Sequence, residues 1–120
     1  MSNLKANQPI GVFDSGIGGL TVARAIVEQL PKESIIYFGD TAHLPYGDKS
    51  AQTIQGYTKK IIDFLLVCDV KLILIACNSA SAAAYESLKD YVGDRAILLN
   101  VIDPVVNYLG ENYPEIGRAS

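Results

Sequence analysis

Residues 72–76 of this chain, Leu-Ile-Leu-Ile-Ala, form an uninterrupted apolar run. Such a run is typical of a strand that is buried on both faces, as in a parallel sheet that helices cover on both sides. Three residues of the types that commonly cap helix N-termini come next, namely Asn78, Ser79 and Ser81, and an alanine-rich stretch surrounds them. The run therefore predicts a buried strand that passes directly into a helix.

Strand and helix patterns alternate along the rest of the chain. The predicted strands are residues 10–13, 35–38, 72–76 and 96–102, and the predicted helices are residues 20–30, 50–66, 79–91 and 103–110. The apolar face of the first helix contains Leu20, Ala23, Ile26, Val27 and Leu30. Pro31 ends that helix, and Ser50 is placed to cap the second. Asp103-Pro104 is typical of a helix start. This β-α repeat predicts an α/β fold, a parallel sheet flanked by helices.

Composition narrows the class of protein. Of the 120 residues, 49% are hydrophobic and 19% charged, which is ordinary for one globular domain. A net charge of −3 without a basic stripe argues against a nucleic-acid partner, and no apolar run approaches the ~20 residues that a membrane span needs. The N-terminus lacks the pattern of a signal peptide. Cys68 and Cys77 form no disulfide framework, so we expect a cytoplasmic protein.

A polar segment follows each predicted strand. These segments are residues 14–19, 39–47, 77–79 and 103–104. Because the carboxyl ends of parallel strands meet at one edge of the sheet, we expect the four segments to converge there and to form a ligand site.

Cys77 is the side chain in these segments with the most reactive chemistry. A thiol next to a helix N-terminus is favoured as the thiolate, which is its reactive form. The alternative is that Cys77 is a small buried apolar residue. Its position in the sequence supports both interpretations.

The turn after the first strand, Asp14-Ser15-Gly16-Ile17-Gly18-Gly19, is rich in glycine. Thr21 stands where a dinucleotide fingerprint has its third glycine, and no phosphate-binding lysine follows, so we expect no nucleotide cofactor. The backbone N–H groups of the turn are suited to an anion such as a carboxylate, and a tight turn predicts glycine at positive φ. A turn does not require the Asp14 carboxylate, so Asp14 and Ser15 are the candidates for function.

Other polar and sulfur side chains are weaker candidates. His43 is the only histidine, and a lone loop histidine is compatible with a surface position or with catalysis. We expect Asp40 to cap a turn and Cys68 to pack at the end of an apolar helix face. One histidine and two separated cysteines provide no ligand cluster, so we expect no metal.

Three motifs stand in order at the ends of predicted strands. They are Gly-Val-Phe-Asp-Ser-Gly-Ile-Gly-Gly at 11–19, Tyr-Phe-Gly-Asp-Thr-Ala-His-Leu-Pro-Tyr-Gly at 37–47 and Ala-Cys-Asn-Ser-Ala-Ser at 76–81. Together they closely resemble the N-terminal part of bacterial glutamate racemase, and the resemblance covers nearly the whole chain. It implies the first lobe of a two-lobe enzyme of the aspartate and glutamate racemase group. Such an enzyme interconverts L- and D-glutamate without a cofactor and supplies D-glutamate for peptidoglycan.

The resemblance also implies a role for each motif. Cys77 would be the first of two catalytic thiols that face opposite sides of Cα. Asp14 would assist proton transfer or hold the ammonium group, and Ser15 would contact the amino group. The residues expected to bind the carboxylates of glutamate are Asn78 and Ser79 for the α-carboxylate and Pro45, Tyr46 and Gly47 for the side-chain carboxylate.

The family's second cysteine, which lies in a Cys-Thr-His stretch, does not occur in the chain. Cys68 is expected at the far end of its helix and cannot replace it. We therefore expect a fragment that is inactive alone: residues 1–110 form a lobe with half of an active site, and residues 111–120 are a truncated linker. The alternatives are an aspartate racemase, a non-catalytic carboxylate-binding module, or a thiol hydrolase that pairs Cys77 with His43. The expected partner is glutamate, and a homodimer is left open.

Overall fold

The computed structural model of the protein describes residues 8–16 and 19–100. Its strands are β1 (Ile10–Asp14), β2 (Ile35–Gly39), β3 (Leu72–Ile75) and β4 (Ile97–Asn100), its helices are α1 (Gly19–Gln29), α2 (Ala51–Val67) and α3 (Asn78–Val92), and two single 3₁₀ turns cover Thr41–His43 and Tyr46–Asp48. None of these helices is long and apolar enough to cross a membrane. The end of the predicted fourth strand, the helix predicted from residue 103 and the linker at 111–120 lie outside the described residues.

The four described strands are all parallel, in the order β2-β1-β3-β4, which confirms the predicted α/β class. β1 is an inner strand: Val12 lies opposite Tyr37 of β2 on one side and Leu74 of β3 on the other. The chain moves outward from β1 to β2 and then returns to the far side of β1 for β3. The strand order therefore reverses between β1 and β3, and such a switch point is where open parallel sheets bind ligands.

Helices cover both faces of this sheet, and β3 lies between them. All four of its side chains are fully buried, as the apolar run predicts. Ile73 and Ile75 belong to the core cluster formed with α2 and α3, whereas Leu72 and Leu74 belong to the cluster formed with α1. Burial of a large aliphatic side chain stabilises a fold by about 1.5–3 kcal/mol. The core therefore holds β3 in place, and β3 fixes the position at which the next segment begins.

Local sequence determines where the helices begin and which face they bury. Ser50 caps α2 as predicted, because its side chain accepts a hydrogen bond from the Thr53 N–H at 3.1 Å. α1 packs on the sheet through Ala23 and Ile26. The prediction that Val27 shares this face is wrong: Val27 is 48% exposed, since it lies 100° around the helix from Ile26 and beyond the line of contact. The side chain of Leu20 lies outside the part that the structure describes.

The amino edge of the sheet contains a buried ion pair. Lys71 comes directly before β3 and Glu33 lies two residues before β2, and the Lys71 Nζ is 2.5 Å from Glu33 Oε1. Both residues are buried, at 2% and 7% exposure. Charges this far from water persist only when they are paired, so this contact ties the starts of the two strands together.

Candidate active site

The segments that follow β1 and β3 lie side by side at the switch point. Hydrogen bonding between the two strands continues past the end of β3, because the Ala76 N–H donates to the Phe13 carbonyl at 2.7 Å. Asp14 ends β1 and Cys77 follows Ala76, and the two residues are 4% and 7% exposed. The fold thus brings both predicted catalytic residues to neighbouring strand ends.

Cys77 is itself the N-cap of α3. Its Sγ accepts a hydrogen bond from the Ala80 N–H, with 3.5 Å between nitrogen and sulfur. The prediction that an amide or hydroxyl side chain caps this helix is wrong. Asn78 is already its first residue, and the Ser81 hydroxyl donates instead to a carbonyl of β3. The Ala80 N–H and the positive end of the helix dipole both stabilise negative charge on Sγ.

The thiol is also part of the core. Cys77 packs in the same cluster as Phe13, Tyr46 and Ala84. Cys77 therefore has apolar side chains on one side and the N-terminus of a helix on the other. Both interpretations left open by the sequence describe this residue: it is a small buried side chain, and it lies at an anion-stabilising helix start.

Asp14 is held by two groups on the opposite side of β1 from β3. The Gly16 N–H donates to Asp14 Oδ2 at 3.1 Å, and the Tyr37 hydroxyl lies 3.4 Å from the same oxygen. The Tyr37 hydroxyl makes its shorter bond, at 2.6 Å, to the Gly16 carbonyl. Burial, followed by the negative charge of Asp14, raises the pKa of Tyr37, so its phenol remains a hydrogen-bond donor at neutral pH.

Glycine at position 39 permits close approach between the loop after β2 and the turn after β1, because a Cβ there would meet backbone, whereas at Gly16 it would meet the end of the exposed Leu44 side chain, which can move. A Cβ on Gly39 would lie 2.9 Å from the Gly16 carbonyl oxygen, and a Cβ on Gly16 would lie 2.9 Å from the side chain of Leu44. The expected positive φ is absent at Gly16; among the described glycines it occurs only at Gly93, after α3. Gly18 lies outside the described residues.

Asp40 connects the loop after β2 to the core. Its carboxylate accepts a hydrogen bond from the Tyr46 hydroxyl at 2.6 Å and lies 2.8 Å from His43 Nδ1. Asp40 stands at the N-cap position of the 3₁₀ turn that follows, as expected, but its side chain makes no capping hydrogen bond to that turn. Burial, then the bond to Asp40 and then the nearby Cys77 raise the pKa of Tyr46, which keeps this phenol protonated.

His43 occupies the outer side of the same loop. Its ring stacks on Tyr57 with 3.8 Å between ring centroids, and its side chain is 43% exposed. Together with Asp40 and Tyr57 it lines a cavity of about 240 Å³ beside Phe38 and Phe64. His43 is therefore a partner of Asp40, and its stacking on α2 holds the loop against that helix.

The loop after β2 meets the start of α3 at a shallow depression of about 300 Å³. Its lining residues are Tyr46, Gly47, Lys49, Ala51, Ile54, Ser79, Ala82 and Ala83. Two groups of predicted substrate-binding residues, around Gly47 and around Ser79, are thereby brought together. Tyr46 contributes little of its side chain to this surface, since it is 2% exposed.

The remaining predicted site residues differ in exposure. Pro45 and Asn78 are exposed and Ser15 is half-buried, so all three present groups to solvent near the carboxyl edge.

Sequence reasoning missed the contribution of Tyr37. The available signal was a phenol in the apolar strand Ile-Ile-Tyr-Phe-Gly, because a partly buried hydroxyl needs a hydrogen-bond partner.

No protein-family model matches the chain. Individual proteins do match. The chain is 53% identical over 98 residues to a glutamate racemase of Neisseria meningitidis, and this alignment covers 82% of the chain and 36% of the relative. It is 55% identical over 95 residues to a glutamate racemase of Syntrophus aciditrophicus, covering 79% of this chain and 34% of the relative. The chain thus spans about a third of the length of these curated relatives, corresponding to their N-terminal part.

Solved structures agree with the sequence matches. Glutamate racemase from Thermus thermophilus, in complex with β-chloro-D-alanine, superposes with a TM-score of 0.78 at 42% identity over 88% of this chain and 40% of that one. The enzyme from Francisella tularensis, in complex with D-glutamate, gives 0.75 at 41% identity over 96% of this chain and 47% of that one. Sequence and fold both confirm the resemblance to bacterial glutamate racemases.

Proposed function

We propose that this chain, whose sequence and fold match the N-terminal part of glutamate racemases, is the first lobe of an enzyme that interconverts L- and D-glutamate. The observation that carries the proposal is the position of Cys77, a buried thiol at the N-cap of α3 beside the switch point of the sheet. The D-glutamate that this enzyme forms would be used in the cytoplasm for peptidoglycan synthesis.

Racemisation breaks and re-forms the bond between Cα and its hydrogen. That hydrogen is very weakly acidic, so the base must be close to Cα and shielded from water. Cys77 is suited to this task because it is 7% exposed and its Sγ already accepts an N–H donor that stabilises the thiolate. In this scheme the thiolate removes the proton from one face of Cα, a second thiol gives a proton to the opposite face, and no cofactor takes part.

The second thiol must come from outside the residues that surround Cys77. Cys68 is unsuited, because it caps the C-terminus of α2 four residues before β3 begins, at the amino edge of the sheet. The length of β3 separates that edge from Cys77, roughly 13 Å at 3.3 Å per residue. We infer that the second thiol belongs to the part of the enzyme that lies beyond the matched third of its relatives.

The substrate carboxylates would bind where backbone N–H groups are concentrated. The first turn of α3, with Asn78 and Ser79, has unpaired N–H groups and the positive end of the helix dipole, which favour the α-carboxylate. The Pro45-Tyr46-Gly47 segment borders the same depression and would receive the side-chain carboxylate. Since the Tyr46 phenol is buried against Asp40, we infer that Tyr46 supports this segment and contributes only its backbone to binding.

The proposal is tested with the full-length protein that carries this chain. L- and D-glutamate are supplied separately in D₂O, and exchange of the Cα hydrogen is followed by NMR while optical rotation follows inversion. We expect exchange and inversion with both enantiomers of glutamate, and slower turnover of aspartate. Faster turnover of aspartate would change the substrate, and a folded protein that exchanges neither acid would overturn the proposal.

The role in peptidoglycan supply is tested in cells. A bacterial strain that requires external D-glutamate receives the full-length gene, and growth without D-glutamate is measured. The control is the same gene with Cys77→Ser. We expect growth with the unaltered gene only; equal growth with both would show that Cys77 is not required for D-glutamate formation.

A further inference from the structure

We propose that Tyr37 is a positioning residue for Asp14, and that it acts through the peptide of Gly16. This inference rests on the proposed function and on the first of the two roles that the resemblance implies for Asp14, which is to assist proton transfer at Cα. Tyr37 itself touches neither the thiol nor the depression in front of α3; it belongs to β2 and packs with the cluster on the α1 face of the sheet.

The contacts form a short chain from Tyr37 to the carboxylate. A phenol has one hydrogen to donate, and the 2.6 Å distance assigns it to the Gly16 carbonyl, with Asp14 Oδ2 at 3.4 Å as a weaker second acceptor. Gly16 in turn donates its N–H to Asp14 Oδ2 at 3.1 Å. Tyr37 therefore anchors the residue whose N–H orients the carboxylate.

The segments around these groups are closely packed. A Cβ added to Gly39 would lie 2.9 Å from the Gly16 carbonyl oxygen and 3.1 Å from the Tyr37 hydroxyl, so the loop after β2 closes on the turn after β1. The Asp40 N–H also donates to the Asp14 backbone carbonyl at 2.9 Å. The Asp14 backbone is thus held by its pairing with β2, and removal of the phenol would loosen only the Gly16 peptide and the Asp14 side chain that this peptide orients.

This arrangement matters for proton transfer because a carboxylate assists only from a narrow range of positions. Misplacement by ~1 Å can cost on the order of a hundredfold in rate, even when the altered residue is remote from the chemistry. Loss of one anchoring hydrogen bond loosens Asp14 without removing it. We expect Tyr37→Phe to lower kcat about tenfold and to change KM less than twofold.

The experiment compares two Tyr→Phe variants of the full-length protein. Tyr91→Phe is the matched control, since the Tyr91 hydroxyl also donates to an aspartate, Asp63, but near the exposed end of α3. Steady-state kinetics on both enantiomers of glutamate should show the tenfold loss of kcat for Tyr37→Phe and values within twofold of wild type for Tyr91→Phe. Wild-type kcat in a folded Tyr37→Phe protein, or a loss that appears only in KM, would overturn the inference.

A second measurement does not depend on activity. NMR of ¹³Cζ-labelled tyrosine reports the ionisation of each phenol, and we expect the pKa of Tyr37 to fall in Asp14→Asn while the pKa of Tyr91 is unchanged. An unchanged pKa of Tyr37 would overturn the coupling to Asp14, whether or not the Tyr37→Phe variant folds. A wild-type protein without racemase activity would refute the proposed function instead, and the NMR result would still decide whether Tyr37 and Asp14 are coupled.

Discussion

At the scale of single residues, the two cysteines of this chain have opposite environments. Cys77 is buried at the carboxyl edge with an N–H donor on its sulfur, and Cys68 is partly buried at the amino edge, after the last turn of α2. A thiol acts best as a base where negative charge on its sulfur is stabilised. Of the two cysteines, Cys77 has such a position, at the start of α3. These environments suit Cys77 to the proposed chemical role and Cys68 to a packing role.

Substitution by serine distinguishes these two uses. In the full-length protein we expect Cys77→Ser to keep the fold and to lose at least a thousandfold in racemisation, because a hydroxyl does not ionise near neutral pH, unlike a thiol with a reference pKa of about 8.5. Cys68→Ser should lower the melting temperature slightly and keep turnover within about twofold. Turnover and thermal melts of both variants check this, and a dead Cys68→Ser beside an active Cys77→Ser would reverse the assignment.

Tyr46 links residue chemistry to stability at high pH. Its pKa is raised in the folded protein, so the folded state holds the phenolic proton more tightly than the unfolded state does. This contribution is complete below pH ~10 and is lost as pH rises further, at about 1.4 kcal/mol per pH unit for one proton. We expect Tyr46→Phe to be about 1.5–3 kcal/mol less stable at pH 7, through loss of the bond to Asp40, and to show a shallower decline above pH 10.

Urea unfolding at a series of pH values measures both effects. Tyr91→Phe again serves as the control, since the Tyr91 ring is 37% exposed. If the wild-type and Tyr46→Phe proteins lost stability in parallel above pH 10, the alkaline loss would come from other groups.

At the scale of elements, α2 and α3 use different devices at their N-termini. α2 begins with a serine whose hydroxyl accepts an N–H and also donates to Thr53 Oγ1 at 2.8 Å, a purely structural cap. α3 begins with a thiol, a poorer acceptor at a longer distance. A helix start that is capped weakly retains N–H groups for another anion, which suits a position where a substrate carboxylate is proposed to bind.

The cap of α2 can be altered without touching the site. We expect Ser50→Ala to lower the free energy of unfolding by about 1 kcal/mol and Ser50→Gly by only a few tenths, since glycine is tolerated at an N-cap. Turnover of the folded full-length enzyme should stay unchanged in both. Chemical denaturation gives the stabilities, and a larger loss for glycine than for alanine would show that the hydroxyl is not the important feature.

At the scale of the whole molecule, the buried ion pair and the proposed catalytic residues lie at opposite edges of one sheet. The amino edge carries the buried Lys71–Glu33 pair, and the carboxyl edge carries Asp14, Cys77 and the loop around Asp40. Parallel strands impose this division, because all of their carboxyl ends point the same way. Changes at the amino edge should therefore affect folding and leave turnover intact.

The ion pair tests this division. Glu33→Ala removes the carboxylate that pairs with the buried Lys71 charge, and we expect a loss of about 3–5 kcal/mol in unfolding free energy. The double variant Glu33→Leu with Lys71→Met should recover most of that loss, because apolar side chains of similar volume avoid the desolvation penalty. Folded protein of either variant should keep wild-type kcat. A double variant as unstable as Glu33→Ala would mean that the pair contributes more than mutual neutralisation.

Much of the fold follows from the sequence because its signals are local. The buried strand at 72–76, the cap at Ser50 and the β-α repeat each depend on residues a few positions apart, and parallel pairing follows from the repeat. The convergence of Asp14 and Cys77 at one edge was also predictable, since the topology of a parallel sheet requires it. Spacing alone predicts burial less well for residues at the edge of a helix's apolar face. Val27 is an example, because its spacing assigns it to the buried face of α1 and the structure leaves it exposed.

Tertiary structure alone decided how the site side chains are held. The hydrogen bonds from Tyr37 to Gly16 and from Tyr46 to Asp40, and the burial of Lys71 against Glu33, depend on the packing of segments that no periodicity connects. The thiol cap of α3 likewise depends on the angle at which β3 delivers the chain to the helix. Periodicity in a sequence states which face a residue occupies; it does not contain the distances between elements, and hydrogen bonding and ionisation are determined by those distances.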